Sequence, residues 1–242
     1  RSVLVTGVQT CALPISLEEE TDVTTNTTNI REVVLDVLLE VLENHNLSHI
    51  VLKQALEKYL FLERQDRAFI TRCVEGTLEY RIQIDAVLDR FSKVKTAKMK
   101  PVIREILRMS VYQILYMERV PDSAVCNEAV KLAKKRKFQG LSGFVNGVLR
   151  TVSREKEKLV SKDASERYSI PRWMLSMWEE MYGKETSEAI AASFLEERPL
   201  TVRFNESISP AEKTIGELRD HGITVEKSGT FPGIASIRGF DY

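Results

Sequence analysis

The sequence predicts a mainly α-helical protein, with an all-helical bundle from about residue 30 to 160 and a partial, small α+β module after it. Two observations predict the bundle: apolar residues recur at helical spacing, and the connections between helices are short. A third predicts the module, because the apolar period changes to two at Leu200. Of the 242 residues, 43% are hydrophobic and 29% charged, which is typical of a globular protein with a packed core.

Helical stripes place six helices in the first part. The first begins at Ile30, where Asn29 and Glu32 form a suitable capping pair. The second covers about 48–60, the third about 66–91, with Asp66 as its cap, and the fourth begins at Pro101. The fifth follows Pro121, and the sixth runs from a cap at Ser142 to about Leu159. Gly76, Gly143 and Gly147 are expected to allow close helix packing.

The second part, residues 161–242, begins with linker helices. One starts at Pro171 and another covers about 184–197. A half-buried strand follows at 200–204, then a helix with Ser209 as its cap and Pro210 at its first position. Two further strands are predicted at 223–225 and 234–237. This βαββ order predicts half of an RRM-like sheet.

Both ends of the sequence are unusual. Residues 1–16 resemble a translated sequencing-adapter read-through, and polar residues interrupt the apolar core that a secretory signal would need. Residues 17–29 are acidic and then rich in Thr and Asn, so we expect a flexible lead-in. The sequence stops at Tyr242 within the α+β module. We therefore expect the chain to be a fragment of a longer protein.

The net charge of zero conceals a basic region. Residues 90–158 contain seventeen basic and six acidic residues, a balance of +11. Two clusters dominate it, namely Lys93, Lys95, Lys98, Lys100 and Arg104, and then Lys134, Lys135, Arg136 and Lys137. Clustered cations on a helical surface are typical of a protein that binds a polyanion. The alternative is that the second cluster only complements a helix dipole.

Several site classes are disfavoured. The three cysteines are far apart and form no CxxC pair, so neither a disulfide framework nor a zinc site is expected. No apolar run approaches the ~18 residues that span a membrane. A cytoplasmic location fits best. No proline is followed by cysteine, and no GxGxxG-like loop follows a strand.

The helical part resembles NusB-type RNA-binding domains. The resemblance rests on three stretches: Leu62–Phe69 with Gly76, Val120–Val130, and Phe144–Arg150, which contains Val-Asn-Gly-Val-Leu-Arg. It implies a fold that binds structured RNA. Within it, Arg150 is open between an internal ion pair and the RNA face.

The second part resembles the linker and RNA-binding module of bacterial 16S ribosomal RNA cytosine-C5 methyltransferases. Ser169–Trp173 and Arg198–Asn205 carry this resemblance, and the domain order agrees with it. It implies an S-adenosylmethionine-binding catalytic domain in the parent protein, with a cysteine nucleophile in a Pro-Cys motif. It also implies RNA contacts from Arg203 and Asn205.

Three functions are compatible with the sequence. The first is the amino-terminal RNA-docking part of such a methyltransferase, which binds 16S RNA but is inactive alone and holds no cofactor or metal. The second is a NusB-type transcription antitermination factor, which has no need of residues beyond about 160. The third is a helical protein-interaction domain with no role in RNA binding.

Overall fold

The computed structural model describes residues 28–159, 161, 163–196 and 199–239. The expectations for residues 1–16, and for all of the lead-in except its last two residues, concern residues outside these ranges. The mainly helical architecture is confirmed.

Seven α-helices build the first part around one central helix. They are α1 (Ile30–Leu42), α2 (Ser48–Lys58), α3 (Arg64–Glu79), α4 (Arg81–Phe91), α5 (Pro101–Tyr116), α6 (Asp122–Lys135) and α7 (Ser142–Glu155). Almost every residue of α5 from Ile103 to Ile114 is buried. The reason is that α1, α3, α4, α6 and α7 all pack against it. Because α5 is buried on all sides, the surface of the bundle is supplied by the other helices and by their connections.

The prediction of one helix over 66–91 is wrong, because this stretch forms two helices, α3 and α4, that meet at Tyr80. The backbone of Tyr80 leaves the helical region (φ −89°, ψ 15°). Its ring stacks on Tyr116, with centroids 4.2 Å apart. Both halves carry an apolar stripe, so the periodicity did not reveal the break. Just before it, Gly76 allows the expected close approach, because a Cβ there would lie 2.0 Å from Cζ of Tyr112.

The expected helix caps and glycines have mixed outcomes. Asn29 does cap α1, since its side chain accepts a hydrogen bond from the Arg31 N–H at 3.0 Å. Ser142 and Ser209 do not cap: a 3₁₀ turn leads directly into α7, and Pro210 occupies the cap position of the later helix. Asp66 lies inside the first turn of α3. A Cβ added at Gly143 or Gly147 would meet no heavy atom within 4 Å, so these two are not packing glycines.

The described residues of the second part form four helices and three strands. They are α8 (Ala164–Tyr168), α9 (Arg172–Tyr182), α10 (Lys184–Ser193), β1 (Leu200–Arg203), α11 (Ala211–Asp220), β2 (Thr224–Lys227) and β3 (Ile234–Arg238). The strands form an antiparallel sheet in the order β1-β3-β2. The predicted βαββ order is thus confirmed, whereas the sequence did not predict α8.

The two parts meet at α4 and α8. The Ile82 N–H donates to Oγ of Ser169 at 3.2 Å, and Nε2 of Gln83 donates to the Arg167 carbonyl at 3.2 Å. The sheet has its own small core beneath α11, formed by Ile215, Val225, Ala235 and Ile237. Its opposite face carries mainly polar residues, with Thr201 and Arg203 of β1 and Ser236 of β3 among them.

Candidate nucleic-acid interface

The first basic cluster lies mainly in the connection between α4 and α5, residues 92–100, which we call the lysine loop. Its four lysines, Lys93, Lys95, Lys98 and Lys100, are exposed. Thr96 and Met99, which lie between them, are buried at 6% and 7% exposure. The loop is therefore fixed to the bundle by two side chains and presents its cations to solvent.

Asp89, at the end of α4, organises this loop. Its Oδ1 accepts a hydrogen bond from the Thr96 N–H at 2.7 Å, and its carbonyl accepts one from Nζ of Lys95 at 2.9 Å. Ser92 adds a local turn, because its Oγ accepts from the Val94 N–H at 3.1 Å. A preordered loop loses less conformational entropy when it binds a ligand.

Arg104 belongs to the first cluster in sequence, but unlike the four exposed lysines it is largely buried. Its side chain is only 16% exposed and forms ion pairs with Glu43, at the end of α1, and with Glu105, at 3.3 Å. The guanidinium therefore connects α5 to α1. This role depends on a partner 61 residues away, which no local pattern indicates.

The Glu105 carboxylate lies at the centre of a buried ionic network. It is completely buried and accepts a hydrogen bond from Nη1 of Arg108 at 2.7 Å, and Arg108 also makes two contacts with Asp85, at 2.6 and 2.7 Å. Burial raises the pKa of Glu105 to about 7, although Arg108 and Arg104 oppose the shift. The network fixes α4, α5 and the end of α1 beneath the lysine loop.

The second basic cluster is half occupied by acidic partners from α1. Nζ of Lys135 lies 2.5 Å from Glu32, and Arg136 contacts Asp36 and, at 3.3 Å, Glu32. Burial raises the pKa of Asp36, although Arg136 opposes the shift. These pairs hold the end of α6 against the start of α1.

Lys134 and Lys137 are the two cations of the second cluster that form no ion pair with α1. Both are exposed, and within the described part of the chain neither forms an ion pair. Lys137 has a positive φ of 65° just after α6, in the left-handed region common at helix ends. We therefore distinguish this exposed pair from the paired Lys135 and Arg136.

The two clusters lie at opposite ends of α1. Arg104 and the lysine loop are near Glu43, whereas Lys135 contacts Glu32. The two acids are eleven residue steps apart along the helix, a rise of about 16 Å. Asp36 and Glu40 lie on the same stripe of α1 between them. The basic surface is thus divided by an acidic helix face.

Arg150 lies in a third place, on α7. It is exposed and lines a 410 Å³ cavity with Cys126 and Asp122 at the start of α6. Asp122 accepts hydrogen bonds from Ser153 at 2.6 Å and Lys156 at 3.0 Å. Among the described residues Arg150 forms no ion pair with Asp122 or with any other acid, and its side chain is exposed to solvent.

The solvent face of the sheet carries Arg203. Thr201 and Arg203 on β1 lie opposite Ser236 and Ile234 on β3, on the side away from α11. Asn205 follows β1, and its Oδ1 accepts from the N–H of Ser207 at 3.3 Å and from its hydroxyl at 2.6 Å. The Asn205 side chain thus organises a turn beside the sheet.

The sequence pattern did not single out Arg90 and Arg238 as candidate RNA-binding residues, although both are exposed. Arg90 lies in the last turn of α4, beside the lysine loop. Arg238 ends β3, in register with Thr224 of β2 and on the same face as Arg203. The run of lysines after Arg90 obscured it as a separate position. Arg238 could be assigned to a face only once the register of β3 was known.

The described cysteines have the character of core residues. Cys73 and Cys126 are 0% and 4% exposed, and burial raises both pKa values, that of Cys73 to about 12. Both are therefore thiols at neutral pH. Within the described ranges no helix is long and apolar enough to cross a membrane, and no group of three or more His, Cys, Asp or Glu side chains could hold a metal ion.

Comparison with family models identifies both parts of the chain. Residues 28–154 match the NusB family model. Residues 170–235 match the ferredoxin-like domain of RsmF/B-like methyltransferases. The two matches follow the helical bundle and the region that contains the sheet.

Curated relatives fall into two groups. The chain is 35% identical over 207 residues to the probable ribosomal RNA small subunit methyltransferase B of Bacillus subtilis. The matched region covers 83% of this chain and 46% of that protein. It is 30% identical over 135 residues to the transcription antitermination protein NusB of Thermodesulfovibrio yellowstonii, with 52% of the chain and 89% of that protein covered. The chain spans about half the length of the methyltransferase relatives it matches.

A solved structure shares the fold of both parts. The crystal structure of PH0851 matches with a TM-score of 0.59 at 19% identity, covering 87% of this chain and 48% of that one. At this identity the match concerns the fold alone.

Proposed function

The chain belongs to the NusB family, and we propose that it is the amino-terminal RNA-docking part of a ribosomal RNA methyltransferase. One observation carries the proposal: a NusB domain is followed directly by a ferredoxin-like domain of the RsmF/B-like methyltransferase type. The B. subtilis relative is similar across both. The antitermination relative corresponds to 52% of the chain, which favours the methyltransferase over the antitermination factor.

The exposed cations supply the proposed RNA contacts. Lys93, Lys95, Lys98 and Lys100 of the lysine loop would bind phosphates, since they are exposed on an anchored loop. Arg150, the Lys134 and Lys137 pair, and the sheet face with Arg203 and Asn205 would add contacts elsewhere. Lys135, Arg136 and Arg104 we assign chiefly to packing, because acidic partners already hold them.

The proposed parent activity is transfer of a methyl group from S-adenosylmethionine to C5 of a cytosine in 16S RNA. The described residues do not fit that cofactor, because their three strands are antiparallel and no glycine-rich loop joins a parallel strand to a helix. We therefore assign to this chain binding and orientation of the RNA, and no methyl transfer of its own. A base in a stacked helix must be flipped out before an enzyme can modify it, which gives firm docking of the flanking RNA a purpose.

The proposed location is the cytoplasm. Ribosomal RNA is the proposed partner there, and buried, protonated thiols suit a reducing compartment.

Fluorescence anisotropy with labelled RNA tests the proposal. The chain should bind fragments of small-subunit ribosomal RNA more tightly than large-subunit fragments of equal length and base composition. With S-adenosylmethionine it should transfer no methyl group, whereas the full-length B. subtilis relative, as a control, should. Equal or absent binding to both RNA sets would contradict the docking function.

A further inference from the structure

A cavity of about 490 Å³ lies where the bundle meets the segment that leads to the second part. One face of α4 forms its floor. Gln83, Ala86 and Arg90 lie on this face, at spacings of three and four residues. Its walls are formed by Tyr116, at the end of α5, and by Lys156, Leu159 and Ser161. Its volume lies within the range of about 300–1,000 Å³ that is typical of small-ligand sites.

The polar groups of this cavity have fixed orientations. Oε1 of Gln83 accepts a hydrogen bond from the Tyr116 hydroxyl, and its Nε2 donates one to the Arg167 carbonyl at 3.2 Å. These bonds orient the amide and leave it one N–H and one acceptor lone pair for a ligand. The Ser161 hydroxyl donates a hydrogen bond to Oε2 of Glu166 at 2.7 Å. This bond orients the Glu166 carboxylate, which is a second hydrogen-bond acceptor in the lining of the cavity.

The cavity is also continuous with the lysine loop. Arg90 lines the cavity, is exposed, and precedes Lys93 by only three residues. Lys156 on the other wall is 37% exposed and forms an ion pair with Asp122 at 3.0 Å. The Arg90 guanidinium lies 5.5 Å from the centroid of the Phe91 ring and forms no ion pair among the described residues. A ligand in the cavity would thus have an anion-binding group at its edge and further cations beyond it.

We propose that this cavity binds one unstacked nucleotide, with the base inside it and its phosphate at Arg90. The proposal rests on the proposed function, since the neighbouring RNA would lie on the lysine loop. Mixed apolar and amide-bearing walls suit a base, which presents flat faces and a polar edge, and splayed-out bases are the usual targets of sequence-specific RNA recognition. The nucleotide could come from RNA or be free in solution, and the experiment separates these sources.

Ala86→Phe provides the test, because it fills the cavity and removes no charge. Ala189→Phe on the exposed surface of α10 is the matched control. The probe is a labelled single-stranded RNA of mixed sequence, about 12 nucleotides long, carrying 2-aminopurine at one position in each of a set of copies. A strand of this length is comparable to the site sizes of single-strand-binding modules. The fluorescence of 2-aminopurine reports unstacking of that base.

The expected result is a loss of affinity of about tenfold for Ala86→Phe and none for Ala189→Phe. The salt slope should become shallower by at most about 0.7, one phosphate contact, for Ala86→Phe and should stay unchanged for Ala189→Phe. The loss follows from exclusion of the base from the cavity, where it would be packed against the walls and hydrogen-bonded to the Gln83 amide. In the wild type one 2-aminopurine position should respond, and Ala86→Phe should remove that response. Should Ala86→Phe fail to fold, as judged by thermal unfolding, Arg90→Gln should give a loss of severalfold and weaken the same response.

Other outcomes have distinct meanings. Equal affinity and an unchanged 2-aminopurine signal in wild type and Ala86→Phe would overturn the nucleotide site while leaving RNA docking intact. No binding of the short RNA or of ribosomal RNA fragments by the wild type would overturn the proposed function as well. Binding of AMP, CMP, GMP or UMP that Ala86→Phe abolishes would support the site and identify free nucleotides as a source.

Discussion

The lysine loop and the end of α6 are similar in sequence and different in structure. Each is a dense run of cations, yet the four lysines of the loop face solvent, whereas two of the four cations in the second run contact acids of α1. The difference teaches that local charge density does not by itself identify an RNA-binding surface. What matters is whether acidic side chains of the same protein already neutralise the cations.

The largest expected effect comes from the lysine loop. Replacing Lys93, Lys95, Lys98 and Lys100 together with Gln should weaken binding of a ribosomal RNA fragment on the order of 100-fold at about 0.1 M salt, because up to four phosphate contacts are lost. Anisotropy titrations measure this change. Circular dichroism serves as the control for folding, since all four side chains are exposed. A loss of affinity of less than threefold would mean that RNA docks on a different surface of the chain.

Arg104 should behave in the opposite way, although it belongs to the same cluster in sequence. Arg104→Gln removes one of two cationic partners from the fully buried Glu105 and should destabilise the fold by about 2 kcal/mol, the usual cost of losing a hydrogen bond to a charged group. RNA affinity, measured where the variant is folded, should change by less than twofold. Urea unfolding monitored by circular dichroism gives the first quantity. An unaltered unfolding midpoint combined with weakened RNA binding would show that Arg104 belongs to the docking surface after all.

Glu105, which lies beneath the lysine loop, should make the free energy of unfolding depend on pH. Its pKa is about 7 in the fold, above the ordinary 4.5, so the proton it holds contributes stability below pH 4.5 that is lost as the pH rises through about 7. The stability difference between wild type and Glu105→Gln should therefore shift against the wild type by about 2–3 kcal/mol from about pH 5 to about pH 8. Unfolding curves at both pH values test this. A difference that does not vary with pH would mean that Glu105 is ionised throughout.

The second cluster should divide into two pairs. Lys134→Gln with Lys137→Gln should weaken RNA binding about tenfold, as expected from two lost phosphate contacts. Lys135→Gln with Arg136→Gln, a matched double variant, should weaken it about twofold or less, since Glu32 and Asp36 occupy both cations. Converting all four residues to Glu should reduce affinity severalfold or more. Equal losses in the two double variants would remove the distinction between paired and exposed cations.

The smallest expected effect concerns loop order. Asp89→Ala removes the acceptor of the Thr96 N–H and should lower RNA affinity by about two- to threefold, because the lysines would then have to be ordered on binding. Asp89→Asn keeps an oxygen acceptor and should restore most of the affinity. If both variants bind like the wild type, the order of the loop has no influence on docking.

The sequence predicted the elements well because apolar periodicity is a local property. It placed the βαββ order and most of the helices, and it missed the break at Tyr80 because the stripes of α3 and α4 are continuous in sequence. It could not separate Arg104 from the exposed lysines, because Glu43 lies 61 residues earlier in the chain. Arg238 was missed for the same kind of reason, since its face depends on pairing between β2 and β3.

The salt dependence of RNA affinity tests the central claim most directly. For the wild-type chain and a small-subunit ribosomal RNA fragment, the logarithm of the binding constant should fall linearly with the logarithm of salt concentration. The account predicts a slope of about −3 or steeper, from four or more phosphate contacts at about −0.7 to −0.9 each, and a slope about 3 units shallower once the four loop lysines are replaced with Gln. A wild-type slope near zero, or one that the loop variant leaves unchanged, would contradict RNA docking through the lysine loop.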